Sequence, residues 1–166
     1  QILNLQKEFS STTSPSMTER NFILKNSLRN NLQTALSSTP GLSQYRVDAS
    51  GGIGNNALIP WVRVFDPEHS PSAQSGWYVV LLFSADGKSA FLSLDLGVTK
   101  LSSMQIDDLK QQATSLLSES LIATGSSERK LHTSIDLSAG ANSLARLYEK
   151  GNVLAFKYDR SQVPSD

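Results

Sequence analysis

The chain has no cysteine, only two histidines and a net charge of zero. Without cysteine there is no disulfide scaffold, no thiolate zinc site and no cysteine nucleophile. A cytoplasmic location suits such a chain. His69 and His132 lie far apart, and neither has a second ligand at helical or loop spacing. No Ser-His-Asp order marks a nucleophile on an elbow, so the reading is of no enzyme, no metal and no cofactor. No run approaches the roughly 18 apolar residues a membrane span requires, and the amino end carries no basic-then-apolar leader. Fifteen Lys and Arg against fifteen Asp and Glu argue against a broadly phosphate-seeking surface. The charge is uneven, however. Residues 1–64 hold Lys7, Arg20, Lys25, Arg29, Arg46 and Arg63 against Glu8, Glu19 and Asp48, a net +3, so a local basic face is expected.

What is present describes one ordinary domain. The 166 residues, 39% apolar and 18% charged, suffice for a single filled core. The chain opens on Gln1 instead of Met, and Pro164-Ser165-Asp166 reads like the edge of a linker. It is therefore read as a piece of a longer protein, with residues 1–166 forming one domain.

After a polar break at Ser10–Pro15, Ser16 and Glu19 have the spacing of a capping box. Leu24, Leu28, Leu32 and Leu36 then recur every four residues, with Phe22 and Ala35 widening the stripe, until Pro40-Gly41 ends the helix. Strands are expected at Tyr45–Asp48, Trp61–Phe65 and Trp77–Phe83, the last so apolar that it reads as buried on both faces. A polar loop fills 66–76. Asp86-Gly87 signals a two-residue hairpin into a strand carrying Leu92, Leu94 and Leu96 on one face and Phe91, Ser93 and Asp95 on the other. A second helix is expected over Gln105–Ile122, with Ile106, Leu109, Ala113, Leu116 and Leu117 along one side, Asp107 and Asp108 near its start and Gly125 after its end. Ser126–Lys130 reads as loop, Leu131–Leu137 as a short strand, Ala141–Tyr148 as a short helix and Asn152–Tyr158 as a last strand. The class is α+β: a mainly antiparallel sheet of four to six strands with two main helices packed on it.

Gly51-Gly52-Ile53-Gly54-Asn55-Asn56 invites a nucleotide-loop reading. A dinucleotide fingerprint needs a third glycine opening a helix, whereas Ala57, Pro60 and a strand follow here. The loop is thus either a structural turn or a segment able to lie against a nucleic-acid backbone. Glu128-Arg129-Lys130 resembles half of a metal-dependent nuclease site but falls in a Ser-Gly-rich loop, which suits a solvated turn better. If the strands at 61–65 and 77–83 pair antiparallel with Phe65 opposite Tyr78, then Trp61 lies opposite Leu82. Trp61, Tyr78 and Leu82 then share one face, as core filling or as a flat-walled slot for a planar base.

Tyr45-Arg46-Val47, Gly52-Ile53-Gly54-Asn55, Ile59-Pro60-Trp61 and Gly76-Trp77-Tyr78-Val79-Val80-Leu81-Leu82-Phe83, in that order, resemble the McrB-type (MrcB-like) amino-terminal domain. Leu147-Tyr148-Glu149-Lys150-Gly151-Asn152-Val153 and Lys157-Tyr158 extend the resemblance over nearly the whole chain. The family implies a non-catalytic reader of methylated or hydroxymethylated cytosine in double-stranded DNA, working by base flipping. It implies a base pocket at Trp61, Tyr78, Leu82 and Tyr148. DNA contacts are implied at Ser50, Gly52, Ile53, Gly54, Asn55 and Asn56, with Arg63 beside them. Ile53 stands where a bulkier tyrosine occurs in the best-known member, so the space left by a flipped base would be filled less completely. In such proteins the reader is joined to a nuclease or NTPase effector in the same chain. A protein-interaction or structural domain is the rival reading, prompted by the zero net charge.

Overall fold

The computed structural model describes residues 1–124 and 130–162, and the side chains of all of these except 118–124. The expectations at Gly125, at Ser126–Arg129, which includes Glu128 and Arg129 of the candidate triplet, and at Pro164–Asp166 lie outside the described residues. Among those described, four helical bodies pack on one six-stranded sheet, and every strand pairing is antiparallel. The strands are β1 (Arg46–Ser50), β2 (Trp61–Phe65), β3 (Trp77–Phe83), β4 (Ser89–Leu96), β5 (Leu131–His132) and β6 (Asn152–Asp159), in the spatial order β1-β2-β3-β4-β6-β5.

The first body is α1 (Ile2–Gln6). The second runs unbroken from α2 (Pro15–Phe22) through a π-helical turn (Ile23–Leu28) into α3 (Arg29–Ser38). Its four-residue leucine repeat explains the π turn. In an α-helix residues four apart drift by about 40° around the axis, so a strict repeat of four walks off its own face. The wider π turn absorbs that drift. Leu24 is wholly buried, and Leu28, Leu32 and Leu36 stay packed on the same cluster, against Val47, Val62, Phe83 and Ala90 of the sheet. Phe22 does not widen the stripe; it is 61% exposed. The cap also differs from the sequence reading. Ser14 caps, accepting from the Met17 amide at 3.2 Å with Pro15 at the first helical position, whereas Ser16 donates its hydroxyl to Glu8.

The other helices are α4 (Ser103–Thr124) and α5 (Ser143–Gly151). A capping box does occur at α4, where Ser102 and Gln105 exchange hydrogen bonds of 2.9 and 3.3 Å. Ile106 is buried and Leu109 packs beside it, but Leu116, expected on the same side, is 69% exposed.

β2 and β3 span the expected residues, and their register pairs Trp61 with Leu82 and Phe65 with Tyr78, as the strand pattern implies. β3 is not buried on both faces: Tyr78, Val80 and Leu82 are covered, while Val79 on the other face is 40% exposed. In β4 the expected alternation holds, and the face that is covered is the one carrying Phe91 with polar Ser93 and Asp95, while Leu92 is exposed. The β3–β4 connection is longer than a two-residue hairpin, with the Ser84 amide donating to the Ser89 carbonyl and Gly87 at φ 65°. The expected strand at 131–137 is limited to the two residues of β5.

These positions predict a contrast between two neighbours on one helix. Leu24→Ala should lower the unfolding free energy by about 2–5 kcal/mol, whereas Phe22→Ala should change it by no more than about 0.5 kcal/mol, both read by chemical denaturation.

Candidate nucleic-acid interface

The glycine loop joins β1 to β2, and its ends meet where Ser50 pairs with Trp61. The Ala57 amide donates to the Gly51 carbonyl at 2.7 Å and closes the loop. The Gly52 amide donates to Ser50 Oγ at 3.2 Å. Gly52 adopts φ +114°, and a Cβ there would lie 2.1 Å from the Asn55 carbonyl oxygen, so only glycine fits.

Beneath the loop lies Arg20, with no exposed surface. Its Nη1 donates to Gln6 Oε1 at 2.6 Å and to the Ala57 carbonyl at 3.1 Å. Its Nη2 donates to the Gly51 carbonyl at 3.1 Å and to Asn21 Oδ1 at 3.0 Å, and Nε reaches the same Asn21 oxygen at 3.2 Å. Asn21 Nδ2 passes the chain on to Asn56 Oδ1 at 2.9 Å, and Asn56 Nδ2 donates to the Ser10 and Thr12 carbonyls at 3.0 and 2.8 Å. A Cβ on Gly51 would lie 2.0 Å from Asn21 Oδ1, so that glycine makes room for the clamp. Burial lowers the Arg20 pKa to about 10, which leaves the guanidinium charged at neutral pH. Gly52, Gly54 and Asn55 project above this base, with Ile53 at the tip, 98% exposed.

The sequence places Arg20 four residues before Leu24, in line with the leucine repeat. A charged residue at that position was the one signal of the clamp. With Arg20 and Arg63 both buried, the outward basic charge of the amino half comes from Lys7, Lys25, Arg29 and Arg46.

Trp61, Arg63 and Phe65 share a sheet face with Tyr78, Val80, Leu82, Phe91, Ser93 and Asp95. α5 covers it, with Asn142 capping the helix through the Ala145 amide at 3.0 Å. Trp61 and Tyr148 are half-buried on this face, with the indole close enough to act on the Tyr148 phenol. Burial raises the Tyr148 phenol to about 12. Tyr78 and Leu82 lie in the covered core; burial also raises the Tyr78 phenol, whose hydroxyl donates to the Ala73 carbonyl at 3.0 Å. Arg63 faces inward, its guanidinium 3.9 Å from the centre of the Phe65 ring and 5.7 Å from that of Tyr78, with Nη1 donating to the Ser70 carbonyl at 3.4 Å. Two surface clefts lie elsewhere. One, of about 640 Å³, is bordered by Pro15, Thr18 and Phe22; another, of about 430 Å³, by Lys130, His132 and Lys157.

Sequence, loop and covered aromatic face meet in one comparison: the model of the MrcB-like N-terminal domain matches residues 4–166. The chain belongs to that family. Like McrB-type amino-terminal modules, this MrcB-like domain is a DNA-binding domain of restriction systems. No curated protein matches the chain. Among the described residues of the MrcB-like domain, no group of three or more His, Asp or Glu side chains could hold a metal ion, and no helix is long and apolar enough to cross a membrane.

Asp95 is a further polar residue that sequence reasoning left unassigned. It is fully buried at the end of β4, and burial raises its carboxyl from 3.8 to about 7, against the opposing effect of the Ser93 hydroxyl that donates to it. The fold thus favours the protonated carboxyl. That stability is fully present below about pH 4 and is lost as pH rises through about 7. Asp95→Asn should flatten the pH dependence of unfolding between pH 4 and 8, measured by denaturation at each pH. Separately, Asn21→Ala should speed amide exchange at Gly51–Ala57 by tenfold or more and leave β3 and β4 amides unchanged.

Proposed function

We propose that this MrcB-like domain reads 5-methyl- or 5-hydroxymethylcytosine in duplex DNA by base flipping, as the specificity module of a modification-dependent restriction enzyme. The observation that carries the reading is Ile53, an apolar side chain held almost fully in solvent at the tip of a clamped loop whose base is Trp61. Exposing one isoleucine on a rigid loop gains nothing for folding. It suits a wedge that enters the duplex where a base has left.

In this reading Ser50, Gly52, Gly54, Asn55 and Asn56 bring backbone and amide groups against the DNA on either side of that wedge. Trp61 and Tyr148 are the walls that receive the base, with Tyr78 and Leu82 beneath them. Arg63 acts from inside, stacked on Phe65, and not as a direct phosphate ligand. Flipping costs a few kcal/mol of stacking and pairing, and stacking on an aromatic wall returns about 1–3 kcal/mol per base. The domain is joined to a nuclease or NTPase effector in the same chain and works in the cytoplasm. The rival reading, a protein-interaction module, draws on the zero net charge and on the loss of Arg20 and Arg63 from the surface.

Gel-shift titration of three duplexes identical except for cytosine, 5-methylcytosine or 5-hydroxymethylcytosine separates the two. A reader binds at least one modified duplex tenfold or more tightly than the unmodified one; equal weak binding to all three favours the rival. Ile53→Asp should lower affinity for the preferred duplex by tenfold or more and leave the melting temperature unchanged.

A further inference from the structure

The register across β3, β4 and β6 places Tyr78, Asp95 and Asn152 in one row, on the face that carries Trp61 and Tyr148. Asp95, Ser93 and Asn152 are all fully buried. Asn152 Nδ2 donates to Ser93 Oγ at 2.6 Å, and the Ser93 hydroxyl donates to Asp95 Oδ1. With the Asp95 carboxyl ionised, as it is above about pH 7, the network is left with two acceptors and no donor. Asp95 Oδ2 and Asn152 Oδ1 have no hydrogen-bond partner among the described residues. Buried polar atoms are nearly always paired, so two orphans from residues paired across strands call for a donor that the described residues do not supply; Arg63 Nε, the third unpartnered buried atom, does not bond to them.

The surroundings give such a donor a direction of approach. Gly151 lies against the carboxylate: a Cβ there would stand 3.6 Å from Asp95 Oδ2, and 2.5 Å from the Leu96 carbonyl oxygen. Tyr148 precedes Gly151 by three residues on α5, hence on the same helix face. Asp95 is near enough to Tyr78 and Tyr148 for its charge to raise both phenols. The nearest cation, Lys110 of α4, directs its ammonium to the Lys150 carbonyl at 3.0 Å. The unpartnered oxygens therefore belong to the aromatic face, under the inner side of α5.

We propose that Asp95 and Asn152 accept the exocyclic amino group of a flipped cytosine and so exclude thymine; this rests on the base-flipping reading above. Cytosine N4 carries two hydrogens, one for each unpartnered oxygen. Thymine presents a carbonyl oxygen at that position, which would meet two acceptors and no donor. Entry of the base requires Trp61 and Tyr148, which pack on the same cluster, to part. Asp95 and Asn152 then decide which pyrimidine is held, and the aromatic walls hold any planar base.

The test uses duplexes identical except for one position opposite guanine, occupied by cytosine, 5-methylcytosine or thymine, titrated with the wild-type domain and with Asp95→Asn. 5-Methylcytosine and thymine share the methyl group and differ in the groups on their pairing edge. The thymine–guanine pair is weaker and easier to open, so a preference for 5-methylcytosine arises in the pocket. The wild-type domain should bind the 5-methylcytosine duplex tenfold or more tightly than the thymine duplex. Asp95→Asn, whose amide can donate to the thymine oxygen, should bring that ratio to within about threefold. An unchanged ratio in a folded Asp95→Asn domain overturns the proposal and leaves the two oxygens a structural role. If that variant does not fold, the wild-type comparison decides alone. Preference for 5-methylcytosine over cytosine, with thymine bound equally well, overturns the amino-group assignment but keeps base reading. Equal weak binding of all three removes base reading and this proposal together.

Discussion

One buried cation organises the amino half of the molecule. Among the described residues Arg20 has no carboxylate partner; five hydrogen bonds to carbonyl and amide oxygens take its place. An arginine withdrawn from water is tolerated only when its donors are met, so the groups meeting them are fixed in turn. Those groups come from α1, from α2 itself and from both ends of the glycine loop. Gln6 extends the tie to the Leu58 carbonyl at 2.8 Å, and Asn56 extends it to the Ser10–Thr12 segment. The loop is therefore closed and seated before any partner arrives. A loop ordered in this way meets a partner with little further ordering cost.

The carboxyl half supplies the second constraint. α5 lies over the sheet face that carries Trp61, Tyr78 and Leu82, and its Tyr148 packs against the same cluster as Trp61. The pairing of Ser50 with Trp61 sets this face directly at the foot of the loop. The exposed loop tip and the aromatic face are thus neighbours by strand register alone. The buried Ser93–Asp95–Asn152 network lies further along the same face.

Much of this architecture was legible in the sequence. β2 and β3 announced themselves through β-branched and aromatic residues between polar loops, and the 66–76 connection set their register. The leucine repeat marked the long helix, but not its π turn, because hydrophobic spacing records the face and not the pitch. Arg20 counted toward the expected basic face, since apart from the adjacent Asn21 its partners Gln6, Gly51 and Ala57 lie 14 to 37 residues away and no local pattern links them. Ser93 and Asp95 were legible as sharing one face with Phe91, but not as buried. Alternation tells which residues share a face, but the cover supplied by α5 decides which face is inside. Ile53 and the glycines around it were visible as a motif, yet the loop's rigidity was not, because it depends on Asn21 and Arg20 from a distant helix.

The most direct measurement is the fluorescence of 2-aminopurine placed next to a 5-methylcytosine in duplex DNA. Extruding the methylated base unstacks its neighbour, so saturating amounts of the domain should raise emission several-fold, with no such rise when cytosine replaces 5-methylcytosine. Tight binding with unchanged emission would mean that the base stays in the helix, and the account of wedge and receptacle would be wrong.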